Sequence, residues 1–174
     1  GAHHRVIPDR IEAGTYVVAG ALCGDGIEVA SCRSDHLDVV IRQRESAGVP
    51  IRIGGESIVV GAPEETTARD LKTAPYPGYP TDMQAQFTSM LAVVPGTSTV
   101  TDTIYPDRFI HVAELNRMGA NISVHAGTAT VNGVKSLSAA PVMATDLRAS
   151  AALVLAGLVA KGTTRVLRVY HIDR

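Results

Sequence analysis

Apolar and polar positions along the chain follow an order that comes round more than once. A polar turn at 7–10 leads into an apolar, small-residue stretch at 14–22 that is predicted to be a helix. Gly24, Asp25 and Gly26 end that helix, and 27–31 reads as a strand. A second helix is predicted at 35–47, with Leu37, Val40 and Ile41 on one face and Arg42, Arg44 and Glu45 on the other. Gly48 supplies its stop, and two short strands at 49–53 and 57–60 flank a Gly-Gly turn. The same order then recurs: a polar turn at 79–82, a helix at 83–93 closed by Pro95 and Gly96, and a strand at 97–103. A helix at 108–118 follows, ended by Gly119, with a hairpin of strands at 121–125 and 128–132. A third pass opens at 144–146, with a helix at 147–160, a stop at Lys161 and Gly162, and a strand at 164–170. Asp173 and Arg174 stand where its second helix is expected to begin.

Asp9, Asp82 and Asp146 head the three passes, at spacings of 73 and 64 residues. The repeats run at about 4–62, 68–134 and 135–174, within one domain over 1–174, and the third is expected to be truncated. The first helix of each pass is apolar on nearly all sides and is expected inside; the second helices are amphipathic and belong nearer the surface. Helix-plus-sheet units that pack buried helices together predict an α+β fold, an α/β prism with approximate threefold internal symmetry. A domain is not expected to stop half-way through its last repeat. The chain, which opens on Gly1-Ala2-His3-His4, is therefore read as an internal piece of a longer protein, although a vector scar would also account for those first residues.

Composition narrows the function without choosing it. A formal net charge of −1 gives no general attraction to nucleic acid or to an anionic membrane, and 4% aromatic residues with no Trp leaves little for base stacking. The apolar run at 149–160 is too short to span a bilayer. Cys23 and Cys32 fit neither a disulfide framework nor a zinc cluster, so a reducing cytoplasm is expected; Cys23, at a helix end, reads as a core filler. The six histidines are dispersed and call for no metal, and no motif calls for a cofactor.

The aspartates carry the chemistry, if any residues do. Asp is a favoured helix N-cap, and that is the ordinary reading of each one alone. Equivalent positions in a three-repeat prism converge at one end, however, where helix N-termini also point and favour anions. Arg10, Arg108, Arg148 and Arg174 lie near the same end of their units. A pocket of several arginines and a few aspartates suits a substrate bearing phosphate and carboxylate.

The run TAPYPGYPTDMQAQF at 73–87 resembles the signature of the UDP-N-acetylglucosamine 1-carboxyvinyltransferase family, with HRVIPDRIE at 4–12, the block at 108–119, VMATDLRAS at 142–150 and YHIDR at 170–174 in the family's order. The related shikimate-pathway transferases share the fold but not the wording of the 81–87 and 144–150 blocks. The resemblance implies a two-domain bacterial enzyme, each domain an inside-out α/β barrel of three βαβαββ units. It also implies transfer of the enolpyruvyl group of phosphoenolpyruvate to the 3′-hydroxyl of UDP-N-acetylglucosamine, the first committed step of peptidoglycan synthesis. Asp82 then matches the general base on the sugar hydroxyl, Ile104 a backbone contact to the UDP moiety, and Arg108 and Arg148 the arginines facing the phosphoenolpyruvate carboxylate. Arg174 matches the one reaching its phosphate, Asp146 an aspartate beside the reacting centre, and Asp9 an acidic residue near the cleft. Pro106 stands where the family often has an acidic residue. The family's N-terminal Lys-Asn pair and its loop with a reactive cysteine have no counterpart in this chain. The chain alone is therefore expected to be inactive, with the N-terminal domain of the same protein as its partner. A module that holds a nucleotide-sugar without turnover is the alternative.

Overall fold

The structure, a computed structural model, describes residues 1–24 and 26–172 and has a mixed α+β fold. Its helices are α1 (Arg10–Cys23), α2 (Asp38–Ser46), α3 (Gln84–Leu91), α4 (His111–Arg117) and α5 (Leu147–Val159). The strands are β1 (Ile27–Ala30), β2 (Ile51–Gly54), β3 (Ser57–Val60), β4 (Leu71–Lys72), β5 (Thr97–Thr101), β6 (Asn121–His125), β7 (Thr128–Asn132), β8 (Pro141–Met143) and β9 (Arg165–Leu167). They form three sheets, ordered β1-β3-β2, β4-β5-β7-β6 and β8-β9. The pairs β1/β3, β2/β3, β5/β7 and β6/β7 are antiparallel, whereas β4/β5 and β8/β9 are parallel. The hairpin of β6 and β7 falls on the residues expected of it.

The helices α1, α3 and α5 touch one another. Their small residues allow the close approach: Gly14 of α1 lies against the Met83 side chain, and Ala149, Ala152 and Ala156 of α5 are buried. All eight residues of α3 are buried, although four are polar. Each of the four side chains makes at least one hydrogen bond, as burial demands, although Gln84 Oε1 and Gln86 Oε1 have no partner among the described residues. Gln86 Nε2 donates to Thr15 Oγ1 of α1 at 3.1 Å, and Ser89 Oγ donates to the Ala152 carbonyl of α5 at 2.9 Å. Thr88 Oγ1 donates back to the Gln84 carbonyl at 3.0 Å. The three helices are thus tied by hydrogen bonds as well as by apolar contact.

Several local readings change. The stretch read as one helix at 35–47 is a 3-10 turn, Ser34–His36, followed by α2, and α4 starts three residues later than the 108 expected. The short strands β4 and β8 had no sequence reading at all. Arg44, placed on the outer face of α2, is fully buried beside Leu37, Val40 and Ile41 in the core. Its guanidinium stacks over the Phe87 ring, 4.0 Å from the centroid, and donates from Nη2 to Tyr79 Oη at 2.9 Å. Cys23 is exposed, so it fills no core, while Cys32 is buried. Among the described residues no helix is long and apolar enough to cross a membrane.

Candidate active site

Two of the three aspartates are helix caps. Asp9 Oδ1 accepts from the Ile11 and Glu12 amides at 2.7 and 3.2 Å, and Asp146 Oδ1 accepts from the Arg148 and Ala149 amides at 2.7 and 2.8 Å. Each satisfies the orphan donors of the first helical turn, as the ordinary reading of such a residue holds. Asp82 does not. It lies inside a 3-10 turn, Thr81–Met83, just before α3, and caps nothing.

Its carboxylate instead faces two arginines. Arg108 Nη1 donates to Asp82 Oδ1 at 3.0 Å, and Arg148 Nε donates to the same oxygen at 3.2 Å. The turn before α3, the loop before α4 and the first turn of α5 thus meet at one point. Asp82, Arg108 and Arg148 side chains are 38%, 30% and 24% exposed, so the cluster is half-buried and reachable. Two guanidinium groups against one carboxylate leave a net positive charge. Oδ2 of Asp82 accepts no hydrogen bond among the described residues, and both Nη atoms of Arg148 are without a partner there. The arrangement can receive an anion on its arginines and a hydroxyl proton on its open carboxylate oxygen.

Ile104 is half-buried, and its amide donates to Asp102 Oδ1 at 2.9 Å, which leaves its carbonyl as the backbone group for any ligand. Arg10 is not in the ion-paired cluster; its guanidinium lies 4.8 Å from the centre of the exposed Tyr76 ring. Arg174 lies outside the described residues. A cavity of 190 Å3 lined by the 5–8 segment, Cys32, Arg33 and Glu56 shares none of the cluster's residues. Among the described residues no group of three or more His, Cys, Asp or Glu side chains could hold a metal ion.

Sequence reasoning missed Asp102, which is 2% exposed at the end of β5. Its Oδ1 accepts from Thr73 Oγ1 at 2.8 Å and from the Ile104 and Tyr105 amides at 2.9 Å each; its Oδ2 accepts from Thr81 Oγ1 at 2.6 Å. A strand-end aspartate with threonines on separated segments carries no spacing motif that would have found it. His111 is structural: it is 1% exposed, its Nε2 has no partner among the described residues, and burial pushes it from 6.5 down to about 4, with Asp146 opposing.

A family model described as EPSP synthase (3-phosphoshikimate 1-carboxyvinyltransferase) matches residues 1–174. The chain belongs to that family. Its sequence is 52% identical over 171 residues to the UDP-N-acetylglucosamine 1-carboxyvinyltransferase of Thermodesulfovibrio yellowstonii, covering 98% of this chain and 41% of that protein. It is 53% identical over 176 residues to the enzyme of the same description from Akkermansia muciniphila, covering 100% and 41%. The chain therefore spans about 41% of the length of the curated relatives it matches and is a homologue of these enolpyruvyltransferases. Among solved structures, the enolpyruvyl transferase NikO from Streptomyces tendae aligns with a TM-score of 0.88 at 25% identity, over 96% of this chain and 40% of that one. EPSP synthase from Acinetobacter baumannii aligns with a TM-score of 0.69 at 18% identity, over 94% and 40%, which speaks to the fold alone.

Proposed function

We propose that the protein containing this chain moves the enolpyruvyl group of phosphoenolpyruvate to the 3′-hydroxyl of UDP-N-acetylglucosamine and releases phosphate. The observation that carries this reading is the Asp82 carboxylate set between Arg108 and Arg148, with one oxygen held and, among the described residues, the other open. In this reading Asp82 takes the proton of the sugar hydroxyl as its oxygen adds to the enol carbon, while the methylene carbon gains a proton from an acid in the rest of the protein. Loss of a proton from that carbon together with phosphate then restores the double bond. Arg108 and Arg148 hold the phosphoenolpyruvate carboxylate, where fixed positive charge steadies the tetrahedral intermediate. Arg174 reaches the phosphate, the Ile104 backbone meets the UDP moiety, Asp146 borders the reacting centre from its helix cap, and Asp9 lies near the cleft. No metal or cofactor has a part.

The same reading takes the fold as an inside-out α/β barrel of βαβαββ units, with α1, α3 and α5 as its inner helices. The N-terminal domain of the same protein would close the cleft and supply the remaining groups, in the bacterial cytoplasm. The test is phosphate release by the full-length protein given both substrates. Asp82→Asn keeps the shape but removes the base, and is expected to lower kcat at least ~100-fold, the low end of what a positioned base contributes. A variant with near wild-type kcat would overturn the assignment.

A further inference from the structure

We propose that Asp102 is a positioning residue for the Asp82–Arg108 pair, acting through the hydroxyl of Thr81. The inference rests on the proposed function for its kinetic consequence only; the hydrogen-bond network itself stands apart from it. Asp102 joins three pieces of backbone that are remote in sequence: the end of β4 through Thr73, the Asp82 turn through Thr81, and the loop after β5 through the Ile104 and Tyr105 amides. Thr73 reinforces the joint, because its Oγ1 accepts from the Thr103 amide at 3.0 Å and its carbonyl accepts from Thr103 Oγ1 at 2.6 Å.

The chemistry explains why this position carries an acid. All four groups facing the Asp102 side chain are donors, and a carboxylate is the one side chain of its size that only accepts. No cation pairs with it among the described residues, so its charge is met by dipoles alone. Burial pushes Asp102 up, but the hydrogen bonds from Thr81, the Tyr105 amide, Thr73 and the Ile104 amide outweigh it and hold the carboxyl below the usual range. It therefore stays ionised near neutral pH.

The direction of one proton follows. Because Thr81 gives its hydroxyl hydrogen to Asp102, its lone pairs face the other way. Arg108 Nη1 lies there, 3.4 Å from Thr81 Oγ1, and the same Nη1 reaches Asp82. The order is Asp102 carboxylate, Thr81 hydroxyl, Arg108 guanidinium, Asp82 carboxylate. An amide at 102 reverses it: the NH2 group would donate to Thr81, whose own hydrogen would then point at the guanidinium. The consequence would be felt at Arg108 without any change in the residues that face substrate.

The experiment uses the full-length protein with Asp102→Asn, Thr81→Val, Thr81→Ser and the Asp102→Asn/Thr81→Val double variant. Phosphate release is followed against both substrates. Asp102→Asn and Thr81→Val are each expected to lower kcat or raise the phosphoenolpyruvate KM about tenfold, Thr81→Ser to restore wild-type values, and the double variant to be no worse than Asp102→Asn. Wild-type kinetics in Thr81→Val, or losses that multiply in the double variant, would overturn the proposal. A second arm needs no turnover: amide hydrogen exchange at Ile104 and Tyr105 is expected to quicken at least tenfold in Asp102→Ala of the 174-residue chain. If the wild-type full-length protein releases no phosphate, the proposed function fails, and unchanged exchange at those amides then sinks the positioning role separately.

Discussion

Arg44 is the residue whose sequence reading and structure differ most. It stands between Arg42 and Glu45 on α2, yet it is fully buried, and among the described residues its Nε and Nη1 have no partner. Burial pushes Arg44 down and Tyr79 up, each opposed by the other. An arginine keeps its proton in a protein, so the fold carries a buried cation held by one hydroxyl and one ring face. Buried charged networks of this kind are often replaceable by apolar groups, whereas removing one member is not tolerated. Tyr79→Phe should therefore destabilise by about 1–3 kcal/mol, because it strips the cation of its hydrogen bond. The double variant Arg44→Leu/Tyr79→Phe should equal or exceed wild-type stability. Denaturant midpoints of the wild type and the two variants decide it; a double variant less stable than Tyr79→Phe alone would contradict the argument.

At the scale of elements, α4 opens on a buried imidazole. His111 is held neutral because its charged form is desolvated, and its ring lies 6.0 Å from that of Phe109. The unfolded chain takes up a proton near the ordinary 6.5, the folded chain only near 4. Between those values the unfolded state binds more protons, so the contribution of His111 is full above 6.5 and is lost as pH falls toward 4. The loss from pH 7.5 to 4.5 should be about 2–3 kcal/mol, and His111→Leu should abolish that part of the slope. Urea titrations of the chain at both pH values test this, and an unchanged slope in the variant would refute it. His111 also shows what sequence could not supply. The apolar helices and the β6–β7 hairpin were legible because their period is local. The strands β4 and β8 span two and three residues and exist through parallel partners far along the chain, so no local pattern marks them. The three aspartates looked equivalent, but two cap helices and only Asp82 is left to face the arginines. Arg108 and Arg148 were legible as charges near a helix start; Asp102 was not, since its partners come from three separate segments.

Across the whole molecule, α1, α3 and α5 touch one another, and Asp82, Arg108 and Arg148 come together from the starts of α3, α4 and α5. Among the described residues the three side chains retain unpartnered hydrogen-bonding atoms, and the chain spans about 41% of the length of its curated relatives. Binding and turnover should therefore separate in this chain. Two arginines without further donors should hold a small dianion with a Kd on the order of millimolar, given one or two charge-assisted hydrogen bonds. Phosphoenolpyruvate titrated into the labelled chain is expected to shift the Arg108 and Arg148 side-chain signals saturably. The shifts should weaken at raised ionic strength, because the site is half exposed, and vanish in Arg108→Ala/Arg148→Ala. Phosphate release from phosphoenolpyruvate and UDP-N-acetylglucosamine by the same sample is expected to stay at background. Turnover by the chain alone would show that Asp82 and its two arginines suffice for the chemistry. Shifts that persist in the double variant would place the anion elsewhere on the surface.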